Sequence, residues 1–264
     1  MNTILTAFEP NENKIYVCNP HNLEFEGNLI IKYFGQFIYQ NKINFQKNMG
    51  VLWFSPFKRM KMISEISIII TDNNGGVYDT PLLYYNRFMR GSDEELNDMS
   101  NFIKNNGNDV KTIIEIGTFQ GEAARILSEN FKDAKIFTVD PWMSGWDDLD
   151  WTSKDPDMKE VEYSYDTLTK NNDNIIKIKM KSEDFSKIIS DNSIDLIYID
   201  GDHRYEGITN DIACWKSKVK KGGYLGGHDY NEYATESIIK AIRENFPDKK
   251  EDVFNMSWLI KYDE

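Results

Sequence analysis

The sequence predicts an α/β protein in which a mostly parallel sheet carries helices on both faces and follows a small β-rich N-terminal region. Three observations predict it. From about residue 108 onward, short apolar runs alternate with helix-period segments, the pattern of buried strands joined by crossover helices. Residues 1–81 carry short β-like runs separated by Asn, Pro and Gly turns. With 264 residues, 40% of them hydrophobic and 28% charged, the chain is long enough for one large α/β domain with an appendage.

The N-terminal runs are "KIYVC", "NLIIKYFGQFIY", "VLWF" and "EISIIIT", the last followed by the turn "DNNGG". Residues 1–91 are read as a region for assembly, as in a homo-oligomer, or for substrate contact. "SDEELNDMSNFIKNNG" opens with a capping box, Ser92 and Glu95, and closes on Asn-Gly, so it marks a helix that begins a second domain, 92–264. "VKTIIEIG" reads as a strand, "GEAARILSENF" as a helix, "AKIFTVD" and "IIKIKM" as the next strands, and "SIDLIYIDG" as a fourth. "YEGITNDIACWKSKV" is helical, "GGYLGGHDY" a fifth strand, and "TESIIKAIRENF" a helix. Between the second and third strands a long polar and aromatic segment holds Trp142, Trp146 and Trp151. It reads as a partial lid ending in the helix "MKEVEYSYDTLTK", or as a segment whose tryptophans pack on the sheet edge.

Composition excludes several classes. No apolar run approaches the eighteen or so residues of a membrane span, and "MNTILTAFEPNENK" lacks the layout of a secretory signal, so a cytoplasmic protein without membrane contact is expected. A net charge of −12 repels phosphate backbones, and no Lys/Arg cluster compensates, so no nucleic-acid partner is expected. Cys18 and Cys214 form no metal-binding pattern.

In parallel sheets, ligands bind beyond the carboxyl ends of the strands. "EIGTFQGEAARIL" places Glu115, Gly117 and Gly121 at the first strand-to-helix turn, where glycine permits close approach of a ligand to free helix N–H groups. The spacing Gly117-Thr-Phe-Gln-Gly121 fails the GxGxxG dinucleotide fingerprint, which disfavours a nicotinamide-dependent dehydrogenase. The second strand ends at Asp140, a carboxylate able to accept from ribose hydroxyls, and the third at Ser182 and Glu183, within reach of an adenine edge.

These residues resemble the class I S-adenosylmethionine-dependent methyltransferases over about residues 108–264. "EIGTFQG" is similar to the E-x-G-x-x-x-G first motif of the metal-assisted O-methyltransferases, and "TVD" to the ribose-binding motif. The resemblance implies a Rossmann-like seven-stranded sheet whose last strand, within "SWLIKYD", inserts antiparallel. It also implies that Glu115, Gly117, Thr118, Gly121, Asp140, Ser182 and Glu183 contact S-adenosylmethionine.

The fourth strand runs into "IDGDHRYEG", with Asp200, Asp202 and His203, and the fifth into "GGHDY", with His228 and Asp229. Neighbouring strands lie about 5 Å apart, so Asp200 and Asp229 can share one ion, and two carboxylates suit a hard cation such as Mg²⁺ or Mn²⁺. A hydroxyl acceptor must lose its proton as the methyl arrives, and His203 is the candidate base. Asp202 reads as a helix cap or as a group supporting the site from behind. The D-x-x-H arrangement Asp200-Gly-Asp-His203 resembles sugar O-methyltransferases more closely than catechol enzymes. His228 stands where several of those relatives carry glutamate, so it is either a metal ligand favouring Mn²⁺ or a substrate contact. The reading is therefore an O-methyltransferase for a sugar hydroxyl, nucleotide-linked or on a glycan precursor. Its alternatives are a phenol- or catechol-type small-molecule enzyme and a non-catalytic cofactor-binding protein.

Overall fold

The computed structural model describes residues 5–9, 14–18, 25–33, 35–45, 51–54, 66–78, 82–83, 92–107, 109–145, 157–231 and 236–262. The chain divides into two compact units, Met1–Arg90 with Asp155–Leu168, and Gly91–Lys154 with Thr169–Glu264. Trp146 and Trp151 of the expected lid lie outside the described residues.

Among the described residues, the first unit holds two four-stranded sheets. One, in the order β5-β2-β1-β8, joins β1 (Leu5–Glu9), β2 (Lys14–Cys18), β5 (Val51–Phe54) and β8 (Leu82–Leu83). The other, β4-β3-β6-β7, joins β3 (Phe25–Tyr33), β4 (Gln36–Phe45), β6 (Ile66–Asp72) and β7 (Val77–Tyr78). "NLIIKYFGQFIY" thus spans two strands, because Gly35 at φ +71° supplies the left-handed residue of a tight reversal. Along β3 the alternation is regular. Leu29, Ile31 and Tyr33 are buried opposite Ile70, Ile68 and Ile66 of β6, while Asn28, Ile30 and Lys32 between them are only half-buried. The helix α3 (Met158–Thr169) clusters with this unit and buries Val161, Tyr165 and Leu168.

The second unit is built on a seven-stranded sheet, order β11-β10-β9-β12-β13-β15-β14. Its strands are β9 (Thr112–Ile116), β10 (Lys135–Val139), β11 (Ile175–Ile178), β12 (Ile194–Ile199), β13 (Val219–Gly227), β14 (Asp252–Phe254) and β15 (Ser257–Lys261). The first five in that order run parallel, and β15 enters antiparallel between β13 and β14. The expected Rossmann-like sheet is therefore present, including its inserted last strand. Its helices are α1 (Ser92–Asn105), α2 (Glu122–Asn130), the short α4 (Ser182–Ser186), α5 (Tyr205–Trp215) and α6 (Glu236–Asn245).

Period-2 alternation splits the strand side chains between two cores. Ile113, Leu196, Tyr198, Tyr224 and Leu259 pack with Leu96, Met99 and Ile103 of α1 and with Ile126 and Leu127 of α2. Ile114, Ile197, Leu225, Trp258 and Ile260 pack with Ile208, Ile212 and Trp215 of α5 and with Ile238 and Ile242 of α6. Burial on both faces explains why these strands read as continuous apolar runs. Asp195 ties the amino end of the sheet, accepting from the Lys111 and Thr112 N–H groups at 3.0 and 2.9 Å and pairing with Lys220 at 2.8 Å. Among the described residues, no helix is long and apolar enough to cross a membrane.

Candidate active site

Glu115 lies one residue before the end of β9 and is 1% exposed, because β9 is flanked by β10 and β12. The chain then turns through Gly117, at φ +79°. A Cβ there would lie 2.2 Å from the Asp200 carbonyl oxygen and 2.4 Å from Gly201 Cα, so glycine is what lets the turn after β9 pass the end of β12. Gly121, at φ +89°, donates its N–H to Thr118 O at 2.8 Å and caps α2. The Thr118 hydroxyl donates to Glu115, which also accepts the Ala124 N–H of the first turn of α2. Burial pushes the Glu115 carboxyl up to about 8, with Asp200 and Asp140 adding to the effect and the Thr118 and Ala124 hydrogen bonds opposing it.

Asp140 follows β10 and is held by main-chain donors. Its Oδ2 accepts the Phe119 N–H at 2.9 Å and its Oδ1 the Trp142 N–H at 2.6 Å. The Trp142 indole donates to Phe119 O at 2.8 Å, so two hydrogen bonds lock the glycine turn to the segment after β10. Phe119 and Trp142 sit at φ +49° and +46°, left-handed conformations that this lock maintains. Trp142 is buried here with Lys177 4.9 Å above its ring.

Beyond β11, the Ser182 hydroxyl donates to Asp211 Oδ1 at 2.6 Å and accepts the Trp215 indole N–H at 2.7 Å. Burial raises the Asp211 carboxyl to about 6, Ser182 opposing and the charges of Asp202 and Glu183 reinforcing it. Glu183 is exposed in the first turn of α4.

The chemical groups gather at the carboxyl ends of β12 and β13. Asp200 N–H bonds to Ile116 O at 2.7 Å and His228 N–H to Ile199 O at 3.0 Å, extending the ladder just past the strands. "GGYLGGHDY" is a strand only to Gly227, and the chain leaves sheet geometry at Asp229, which adopts φ +61°. His203 Nε2 lies 2.9 Å from Asp229 Oδ2 and 3.8 Å from Asp200 Oδ1. Asp200, His203 and Asp229 each offer a ligand atom within 4.8 Å of the others. The two carboxylates fit a hard cation such as Mg²⁺ or Mn²⁺, with the His203 imidazole beside them. His228 presents Nδ1 3.3 Å from Asp229 Oδ1 and 3.7 Å from Asp200 Oδ1, while its Nε2 lies 2.9 Å from Glu95 Oε1. Burial alone would lower the His228 pKa, but Asp200, Asp229 and Glu95 outweigh it and hold the ring up at about 10. Against burial, His203 and His228 hold the Asp229 carboxyl well below the usual carboxylate range. Asp202 accepts the Arg204 N–H at 3.0 Å and its Nε at 2.9 Å, at the start of α5.

Of the residues singled out in the sequence, Gly117, Thr118 and Gly121 form one turn to which Glu115 of β9 and Asp140 are bound, and Asp200, His203, His228 and Asp229 form one cluster. Ser182 and Glu183 stand apart at the end of β11, with the Ser182 hydroxyl proton committed to Asp211. The residue missed is Glu95. Its position in a capping box gives it a sufficient local role, yet its carboxylate here reaches His228 and the Met256 N–H.

A seven-stranded sheet with an inserted antiparallel strand and a glycine turn after its first strand defines the class I methyltransferase fold. A family profile described as "Methyltransferase domain" matches residues 114–230. Over that stretch the chain is similar to methyltransferase domains, and its sheet has the class I methyltransferase fold. Protein R132 of Acanthamoeba polyphaga mimivirus is 27% identical over 138 residues, which span 52% of this chain and 59% of that protein. Among solved structures, the O-methyltransferase NovP aligns at TM-score 0.51 and 15% identity, covering 65% of this chain and 80% of its own. The calicheamicin methyltransferase CalS11 aligns at 0.52 and 10%, covering 68% and 81%. These two likenesses concern the fold.

Proposed function

We propose that this protein transfers a methyl group from S-adenosylmethionine to a hydroxyl of a sugar, nucleotide-linked or on a glycan precursor, with a divalent cation at the site. The observation that carries the reading is the convergence of Asp200, His203 and Asp229 beside the glycine turn, since a protein that only binds the cofactor has no use for them. When bound, the cofactor supplies a methyl on a sulfonium, and the cation supplies positive charge that favours the deprotonated acceptor. Gly117 and Gly121 open the turn for the cofactor, and Asp140 accepts from its ribose hydroxyls. Asp200 and Asp229 hold the cation. As the acceptor oxygen forms its bond to the methyl carbon and the carbon–sulfur bond breaks, the His203 imidazole takes the hydroxyl proton. Asp229, 2.9 Å away, stabilises the imidazolium so formed.

The sugar class is supported by the D-x-x-H arrangement and by CalS11, a structural neighbour described as a TDP-rhamnose 3'-O-methyltransferase. The test is transfer of labelled methyl to a panel of nucleotide sugars and catechols, with and without a chelator. Chelator-sensitive labelling of a nucleotide sugar is expected. Labelling of catechols alone would transfer the assignment to a phenolic acceptor, and unchanged turnover in a His203→Ala variant would overturn the base.

A further inference from the structure

Glu95 is a carboxylate on α1, 3% exposed, outside the stretch that matches the methyltransferase profile. An ionised carboxylate in such a place is costly unless both oxygens are satisfied. Both are: Oε1 lies 2.9 Å from His228 Nε2, and Oε2 accepts the Met256 N–H at 3.0 Å, just before β15. A carboxylate only accepts, so the Nε2 of His228 carries the proton of this bond. The ring is thereby fixed with its other nitrogen, Nδ1, 3.3 and 3.7 Å from Asp229 Oδ1 and Asp200 Oδ1. Carboxylates that grip the far nitrogen of a histidine are a recurrent means of orienting it toward a metal, and their loss typically costs about 10–100-fold in metal affinity.

We propose that Glu95 is a positioning residue of this site, gripping His228 at Nε2 so that Nδ1, on release of its proton, is presented to the cation that Asp200 and Asp229 hold. The inference rests on the cation reading under Proposed function for its consequence, and on Glu95 and His228 alone for its geometry. It also gives α1 a role in the site, because the first two turns of that helix carry Glu95 while Leu96 and Met99 anchor it in the core.

Two readouts separate the geometry from the consequence. Imidazole ¹⁵N–¹H NMR of the full chain reads the bond, and Mn²⁺ titration calorimetry reads the affinity, each on wild type, Glu95→Ala and Glu95→Gln. The wild type is expected to show a slowly exchanging His228 Nε2 proton. Glu95→Ala is expected to lose that protection and to bind Mn²⁺ about 10–100-fold more weakly. Glu95→Gln, which keeps an acceptor oxygen, is expected to restore most of both. A merely structural glutamate would change the urea midpoint but neither readout in the folded protein. If Glu95→Ala does not fold, Glu95→Asp, with its reach shortened by one methylene, supplies the same comparison. No protected Nε2 proton in the wild type, or Mn²⁺ affinity within about twofold of wild type in folded Glu95→Ala, overturns the inference. Loss of the protected proton in Glu95→Ala together with no Mn²⁺ binding by any variant would sustain the positioning by Glu95 and remove the cation reading.

Discussion

At the scale of single residues, the account turns on His203 and Glu115. Replacing His203 with alanine removes the proton acceptor and leaves the glycine turn and Asp140 intact. Methyl transfer should fall about 10²–10⁴-fold, while calorimetry shows unchanged affinity for S-adenosylmethionine. Glu115 makes a different prediction. Its carboxyl is raised to about 8 in the fold, so the native state binds the proton more tightly than the unfolded chain. Its contribution to stability is fully present below about pH 4.5 and is lost as pH rises through about 8, with a slope of at most about 1.4 kcal/mol per pH unit. Urea denaturation across this window should show Glu115→Gln with a flatter decline than wild type, and parallel curves would show that Glu115 is not the titrating group. Glycine, aspartate and histidine at strand ends were legible in the sequence because their chemistry has few other uses there. Glu95 was not, because its partner is 133 residues away and a helix-capping role accounts for it locally.

At the scale of elements, the turn from β9 into α2 joins the cofactor half of the site to the chemical half. Gly117 passes against the backbone of Asp200 and Gly201, so this turn and the start of the cluster share one contact. Gly117→Ala must adopt a left-handed φ, costing about 1–2 kcal/mol, and must also displace the end of β12. We expect a loss of about 2 kcal/mol or more in urea denaturation, together with weakened cofactor binding. Unchanged stability and binding would mean that the ends of β9 and β12 have more room than they show here. The long parallel strands were legible because burial on both faces writes an unbroken apolar run. Strand β14 was not, since three residues with two exposed side chains carry no period. The β3–β4 hairpin was read as one run because the apolar pattern continues on both sides of its turn.

At the scale of the molecule, the order of the sheet places the ends of β9, β10, β12 and β13 along one edge, and residues drawn from Glu115 to Asp229 meet there. The parallel arrangement followed from the alternation of strands and helices, and the function class from the resemblance of the residues at the strand ends. The pairing of the N-terminal strands into two sheets did not, since short β runs do not encode their partners. A ligand that binds only the native state raises its melting temperature by mass action. S-adenosylmethionine and S-adenosylhomocysteine should therefore raise it, and NAD should leave it unchanged. The most direct measurement is a crystal structure with S-adenosylhomocysteine and Mn²⁺, read in anomalous difference density. The account predicts the nucleoside along the 117–121 turn with its ribose on Asp140, and a manganese peak bound by Asp200 and Asp229. A cofactor bound elsewhere, or a site beside Asp200 and Asp229 with no manganese at saturating concentration, would contradict it.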